Sequence, residues 1–150
     1  MAPTLDELKV ADTPDAWRAC GFEVDGDTCV VGDTRIRLAG DGAGWGLAGW
    51  SLREIAEGAE LDGLPTARSD RPPPAEGPAH PNGISGLDHV VAITPALKRT
   101  VAAIEAAGLD LRRIREEPTP AGAPRQAFFR LGPVILEVVQ EPPEAIERGG

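Results

Sequence analysis

The sequence predicts an α+β protein made of two βαβββ modules, and a repeated pattern in the chain is the main reason. Each half carries a Thr-Pro pair, beginning at Thr13 and at Thr94, followed by a segment that ends in a glycine and a short apolar run. The chain enters another strand-like apolar run 29 residues after each of these glycines, Gly21 and Gly108. Repetition of one unit indicates duplication. The copy that has kept polar residues at the matching positions is then expected to form the functional site.

The second module is the clearer copy. Leu87–Ile93 is apolar and β-branched, which predicts a strand. A helix over Thr94–Ala107 is expected to follow, because Thr94 suits an N-cap, Pro95 suits the first turn and Gly108 suits a left-handed C-terminal cap. Three more strands complete the module, at Leu111–Arg115, Gln126–Leu131 and Val134–Val139.

The first module repeats this order in shorter form. A helix of about two turns is expected over Thr13–Gly21. The expected strands are Leu8–Ala11, Phe22–Val24, Thr28–Val31, Arg35–Leu38 and Gly46–Leu52. The predicted organisation is a degenerate first module at 1–56, a linker rich in proline and glycine at 57–83, a second module at 84–142 and a tail at 143–150, all within one globular domain.

Composition excludes several classes of partner. The net charge of −9 and the scattered basic residues argue against binding to nucleic acid. No segment has the roughly 18 to 20 apolar residues of a membrane helix, and the first residues lack the apolar core of a signal peptide. We therefore expect a soluble, cytoplasmic protein. The long linker permits the modules to pair within one chain or to swap in a homodimer.

Gly86–Val91, which opens the second module, and Leu131–Val139, which closes it, resemble the vicinal oxygen chelate superfamily. That superfamily includes glyoxalase I, bleomycin-resistance proteins, fosfomycin-resistance enzymes and extradiol dioxygenases. The resemblance covers Gly83–Gln140 and is extended by inference to the first half. It implies that each module forms half of a cupped mixed sheet with its helix outside, and that the paired modules enclose one site.

The resemblance also implies positions for metal ligands. Metal-dependent members take one ligand from the first strand and one from the last strand of each module. The matching residues are His89 and Glu137 in the second module, but Leu8 and Trp50 in the first. Because a catalytic divalent metal needs about three or four protein ligands, this site is expected to be vestigial and to hold no cofactor.

Three other residues bear on the missing ligands. A register error of one or two residues would bring Asp6 or Glu7 to the position of Leu8. His80 is expected to be an exposed loop histidine before the turn Pro81-Asn82-Gly83, rather than a third ligand.

A pocket is expected around Glu137, because a two-residue turn at Gly132-Pro133 places Phe128 opposite that carboxylate. Gln126 and Arg130 share its face of the sheet, and Trp50 offers an aromatic surface for stacking. The predicted ligand-binding residues are Trp50, Gln126, Phe128 and Arg130, and the catalytic candidates are His89 and Glu137. A core tryptophan and a satisfied histidine–glutamate pair are the structural alternatives.

Three functions follow from these features. The first is a small-molecule-binding protein of the glyoxalase and bleomycin-resistance type. The second is a glyoxalase-like lyase, isomerase or dioxygenase, in which Zn, Ni, Mn or Fe polarises substrate oxygens or Glu137 acts as a general base oriented by His89. The third is a degenerate structural or regulatory protein.

Overall fold

A computed structural model describes residues 2–116 and 125–142 of the chain. The fold is α+β, as predicted, with two open mixed sheets of five and four strands and few helices. In chain order, the elements are β1 (Thr4–Val10), α1 (Pro14–Ala19), β2 (Thr28–Val31), β3 (Thr34–Leu38), a 3₁₀ turn (Asp41–Ala43), β4 (Leu47–Arg53), β5 (Thr66–Ser69), β6 (His89–Thr94), α2 (Leu97–Ala106), β7 (Asp110–Arg115), β8 (Gln126–Leu131) and β9 (Val134–Gln140).

The first sheet has the strand order β2-β3-β1-β4-β5. It lies in one compact unit, formed by Leu5–Glu54 and Leu64–Leu87. In this sheet β1 runs parallel to β3, β2 is antiparallel to β3, and β4 runs parallel to β5. Two features differ from the sequence prediction. An isolated bridge between Asp25 and Thr28 stands in place of the strand expected over Phe22–Val24, and β5 lies inside the predicted linker.

The helix of the first unit is short and exposed. Its N-terminus forms as predicted, because Thr13 Oγ1 accepts a hydrogen bond from the Ala16 amide at 3.1 Å and Pro14 occupies the first turn. Gly21, with φ at 90°, follows the helix in a conformation that side chains with a Cβ rarely adopt. The six residues of α1 include none that is buried. The expectation that this helix packs on the sheet is therefore wrong.

The second sheet has the strand order β6-β9-β8-β7 and lies in a second compact unit. Here β6 is parallel to β9, and the remaining neighbours are antiparallel. One face of this sheet packs against α2, which contacts β8 and β9. The buried side chains of this core include Leu97, Val101 and Ile104 from the helix and Phe129, Leu136 and Val138 from the sheet. The alternating burial of β8 and β9 leaves Phe128 and Glu137 on the other face.

The start of α2 differs from the prediction, since the helix begins at Leu97 rather than at Thr94. Thr94 Oγ1 accepts a hydrogen bond from the Ala96 amide at 3.1 Å, in a turn that precedes the helix. Gln140 Oε1 accepts a hydrogen bond from the Leu97 amide at 2.9 Å. A side chain from the end of β9 therefore caps this helix, and such a long-range cap leaves no local sequence signal.

The segment Ile55–Gly63 spans the predicted boundary between the first module and the linker at 57–83, but it belongs to the second unit. Asp62 accepts hydrogen bonds from the side chains of Thr100 and Arg99 on α2. The hydrogen bond from Thr100, helped by Arg99, holds the pKa of Asp62 below its usual value despite some burial. This acidic residue therefore fastens the segment to the helix.

The longest helix in the described ranges, α2, has 10 residues. None of the helices described is long and apolar enough to cross a membrane.

Candidate functional site

The face of the second sheet opposite α2 forms a mixed polar and apolar surface, which we call the open face. Side chains of paired residues lie side by side across a sheet, so the register defines three rows on this face. From β7 to β6 the rows are Arg115, Gln126, Val139 and Ile93; Arg113, Phe128, Glu137 and Val91; and Asp110, Arg130, Ile135 and His89. Val91 and Ile93 are 44% and 67% exposed, so apolar surface borders the polar groups.

His89 and Glu137 meet on adjacent parallel strands. Nε2 of His89 lies 4.0 Å from Oε2 of Glu137, and Nδ1 of the same ring lies 2.8 Å from Oδ2 of Asp88. Gln126 donates a hydrogen bond through Nε2 to Oε1 of Glu137. The Glu137 side chain is only 18% exposed, while that of His89 is 47% exposed. This arrangement offers a partly desolvated carboxylate and an accessible imidazole to a bound molecule.

Five of the six predicted site residues lie on the open face. Phe128 stands directly opposite Glu137, in the predicted register, and the turn at Gly132 joins their strands. The other three are Gln126, Arg130 and His89. The expected short hairpin turn is what made these positions predictable.

Trp50 is the sixth predicted residue and belongs to the first sheet. It is 9% exposed, and its indole Nε1 donates a hydrogen bond to Thr66 Oγ1 at 2.7 Å across the β4–β5 pair. Its polar atom is therefore already satisfied inside the first unit. The observed burial agrees with the structural alternative of a core tryptophan.

The register of the first sheet also corrects the assignment of Leu8 and Trp50 as counterparts of His89 and Glu137. The strand parallel to β1 is β3, just as the strand parallel to β6 is β9, whereas β4 lies on the other side of β1. Aligning the hairpin glycines Gly32 and Gly132 makes Arg37 the counterpart of Glu137, and Glu7 the counterpart of His89. Counting back from the Thr-Pro pairs selected Leu8 because Glu7 lies one residue farther from Thr13 than His89 lies from Thr94. Counting forward from the glycines selected Trp50 because fewer residues separate Gly21 from Arg37 than Gly108 from Glu137.

The corresponding face of the first sheet is held by ion pairs and is crossed in part by the chain itself. Arg37 Nε lies 3.3 Å from Glu7 Oε1, and Arg71 Nη2 binds Glu7 Oε2 at 3.0 Å. Residues 71–80, which we call the Pro-rich strap, contact this face along its length. Arg35 donates to the Pro72 carbonyl at 3.2 Å, and a Cβ added to Gly77 would lie 2.8 Å from a methyl group of Val30. Only glycine therefore fits at this crossing.

Asp6 holds the start of the strap, because Arg71 donates hydrogen bonds to its carboxylate. Its side chain is fully buried and accepts hydrogen bonds from three arginines and two serines: Arg35, Arg53, Arg71, Ser51 and Ser69. Burial by itself would raise the pKa of Asp6, but the hydrogen bonds from Ser69, Arg71 and Arg35 outweigh it and lower this pKa. Asp6 is thus committed to the structure of the first unit and has no oxygen free for a metal ion.

His80 is a buried anchor of the strap, so the expectation of an exposed loop histidine is wrong. It is 7% exposed, and its Nδ1 accepts a hydrogen bond from the Glu23 amide at 3.0 Å. Nε2 lies 2.8 Å from the Val30 carbonyl and therefore carries the proton that it donates there. Both ring nitrogens are engaged, which leaves neither free for a metal ion.

The residues of the open face do not fit a catalytic divalent metal. Such a site needs about three protein ligands, and His89 and Glu137 supply two. Within residues 2–116 and 125–142, no group of three or more His, Cys, Asp or Glu side chains could hold an ion. The Gln126 amide also donates to one of the Glu137 oxygens. The chemistry available to this face is hydrogen bonding, charge pairing and apolar contact.

Arg113 is a site residue that the sequence pattern did not identify. It lies directly opposite Phe128 on β7, although a register irregularity separates Leu111 from Arg113. Simple alternation along the strand fails at such a bulge. The cluster of arginines within Leu111–Arg115 was the available signal, but nothing local shows which of them faces the site.

No family model matches the chain, and no curated protein and no solved structure is significantly similar to it. Function is therefore inferred from the geometry of the open face and from the resemblance carried by its strands.

Proposed function

We propose that this protein is a glyoxalase-like member of the vicinal oxygen chelate superfamily that binds a small organic molecule on the open face, without a metal. The pair formed by His89 and Glu137, 4.0 Å apart beside exposed Val91 and Ile93, carries the proposal. Binding sites for small molecules combine apolar surface with a few convergent polar groups, and this face has that composition.

The strand order of the second unit supports the superfamily assignment. A strand, a helix and three strands follow one another, and the first strand pairs in parallel with the last. In the first unit, β1, α1, the bridge at Asp25, β2 and β3 follow the same order, and β1 pairs in parallel with β3. Gly32 and Gly132 have φ values of 59° and 66° at corresponding hairpin turns. We infer that the two units arose by duplication of one βαβββ unit.

The contrast between the two faces supports binding in the second unit. In the first unit, Arg37 and Arg71 pair with Glu7, and the Pro-rich strap contacts the same sheet at Arg35. On the open face, exposed Val91 and Ile93 border the polar pair instead. Exposed apolar groups next to partly desolvated polar groups are typical of a surface that a ligand covers.

A fragment screen followed by two-dimensional NMR tests the proposal. We expect a small aromatic or apolar compound to shift the amide resonances of Phe128, Glu137 and Val91. Phe128→Ala should weaken its binding about tenfold, because loss of an aromatic contact removes about 0.5–1.5 kcal/mol beyond area burial. Glu137→Gln should also lower the affinity of the protein for any compound that donates a hydrogen bond to this position or carries a positive charge.

Glu7→Gln is the matched control, since Glu7 occupies the corresponding position on the first sheet, where Arg37 and Arg71 already pair with it. It should leave the affinity of the fragment unchanged. A screen in which no compound perturbs the open face, or in which Glu7→Gln weakens binding as much as Glu137→Gln, contradicts the proposed function.

A further inference from the structure

Three arginines on the second sheet differ from the other arginines that the structure describes. Within 2–116 and 125–142, nine arginines form ion pairs with Asp or Glu side chains. Arg113, Arg115 and Arg130 form no ion pair with any residue in the described parts of the chain, and all three lie on β7 and β8. The protein carries a net charge of −9, so acidic side chains are plentiful elsewhere. These strands therefore present a locally positive surface.

The positive end of the open face lies across Phe128 from its negative end. Arg113 pairs with Phe128, and Phe128 pairs with Glu137. Neighbouring strands are about 4.8 Å apart, so the backbones of Arg113 and Glu137 are separated by roughly 10 Å, with the aromatic ring between them. Arg130 lies two residues from Phe128 on the same face. One row of the sheet thus presents a cation, an aromatic surface and a carboxylate in sequence.

A shallow cavity marks the positive end of this row. Its volume is about 270 Å³. Its lining consists of three arginines and three apolar residues, namely Arg112, Arg113, Arg130, Phe128, Phe129 and Ile135. Pockets for drug-sized ligands span roughly 300–1,000 Å³, so this one suits a molecule of about one ring. The guanidinium groups of its lining select an anionic group, and a planar carboxylate matches their fork of donors.

A second observation marks the other end of the row. Gln126 donates its amide to Glu137, but its Oε1 atom is buried and has no hydrogen-bond partner among the residues that the structure describes. The amide of Gln126 is therefore turned inward toward Glu137, and the exposed part of the Glu137 carboxylate is the acceptor that a hydroxyl or amino group of a ligand can reach.

We propose that the ligand of the open face is a small aromatic carboxylate with a hydrogen-bond donor at the opposite end of its ring. This inference rests on the proposed function and specifies its ligand class. The carboxylate binds Arg113 and Arg130, the ring covers Phe128, and the donor reaches Glu137. Repulsion between the ligand carboxylate and Glu137 sets the orientation of the ligand.

NMR titrations with 4-hydroxybenzoate and 4-hydroxybenzamide test the carboxylate end, because the two probes differ only by an anionic and a neutral group. We expect 4-hydroxybenzoate to bind about tenfold more tightly or better, since hydrogen bonds to charged groups contribute about 1.5–3 kcal/mol. The double variant Arg113→Gln/Arg130→Gln should remove this preference. Arg99→Gln is the control for loss of a positive charge elsewhere in the same unit, because Arg99 of α2 pairs with Asp62 and α2 lies against the opposite face.

Benzoate tests the donor end in the same way, since it lacks the hydroxyl group. It should bind more weakly than 4-hydroxybenzoate to the wild type, and Glu137→Gln should reduce the difference. Equal affinities of the wild type for 4-hydroxybenzoate and 4-hydroxybenzamide overturn the inference, as does an equal loss of preference in Arg99→Gln. If these probes fail but another fragment shifts Phe128 and Glu137, only the ligand class is overturned. If no fragment does so, the proposed function fails as well.

Discussion

The face around Glu7 and Arg37 and the face around His89 and Glu137 share one strand register but differ in the partners of their carboxylates. On the first, Glu7 pairs with Arg37 at 3.3 Å and with Arg71 of the Pro-rich strap at 3.0 Å. On the second, the corresponding pair is 4.0 Å apart and borders exposed apolar residues. A carboxylate can therefore be held by arginines of its own chain in one unit and remain available to a ligand in the other.

Charge explains part of this difference. The buried carboxylate of Asp6 gathers three guanidinium groups beneath the strap, and Arg71 joins this cluster to Glu7. In the second unit the position next to the histidine is Asp88, whose side chain is 91% exposed and points to the ring of His89. Buried charges must be paired within the protein, whereas exposed ones can remain available. The first face is consequently structural, and the second can exchange water for a ligand.

Removal of the buried Asp6 charge should have the largest effect on stability among these changes. Asp6→Asn removes a buried charge that three guanidinium groups share, and we expect it to destabilise the protein by about 3–5 kcal/mol. Urea unfolding of the variant and the wild type measures this difference. Asp15→Asn is the control, because Asp15 is 95% exposed in its ion pair with Arg18 and should change stability by less than about 0.5 kcal/mol. Equal effects would mean that the Asp6 cluster does not hold the strap.

The lowered pKa of Asp6 predicts that the protein loses stability at acid pH. The pKa of Asp6 is lowered in the folded protein, so its contribution is complete at neutral pH, where the carboxyl group is ionised in both states. It is lost as the pH falls below the unfolded value of about 3.9 and through the lower folded pKa. The stability difference between wild type and Asp6→Asn should therefore shrink below about pH 4. A difference that is constant from pH 7 to pH 3 would contradict this assignment.

Substitution of the two histidines should give the next largest difference in stability. His80→Ala removes a buried ring that holds the strap through two hydrogen bonds, and we expect a loss of about 2 kcal/mol together with faster proteolysis of the strap. His89→Ala should change stability by less than about 0.5 kcal/mol, because that side chain lies half-exposed on the open face. Thermal unfolding of both variants makes the comparison. If His89→Ala is the more destabilising change, the open face is a structural core instead.

The two glutamates provide a finer test. Glu7→Gln weakens ion pairs with Arg37 and Arg71 and should lower stability by about 1 kcal/mol. Glu137→Gln should leave stability unchanged or raise it slightly, since it removes a partly desolvated charge while an amide oxygen can still accept from Gln126. Chemical unfolding of both variants measures the contrast. A loss of several kcal/mol in Glu137→Gln would identify Glu137 as a structural partner of His89.

Chelation should have the smallest effect. Two ligands on one sheet face bind a divalent ion far more weakly than a closed site does. We expect the melting temperature to be the same with and without EDTA, and elemental analysis to find much less than about one Zn, Ni, Mn or Fe per chain. About one metal ion per chain, lost in Glu137→Ala, would support the metal-dependent enzyme instead.

Sequence by itself determined the features that depend on neighbours along the chain. The α+β class, the N-cap at Thr13, the bounds of β2 and β8 and the pairing of Phe128 with Glu137 follow from local punctuation, alternation and a short hairpin. Short loops leave the backbone few ways to connect two strands, so the register across them can be counted from residue numbers. Most of the open face was therefore predictable.

Tertiary structure alone decided which strand pairs with β1, where α2 begins, and what the strap covers. Counting selected Trp50, whereas the parallel pairing of β1 and β3 selects Arg37, because strands joined by a crossover have no local register signal. The same holds for His80 and Asp6, whose partners lie tens of residues away along the chain. Such contacts depend on closing long loops, and their energy comes from burial and charge pairing that only the folded chain brings together.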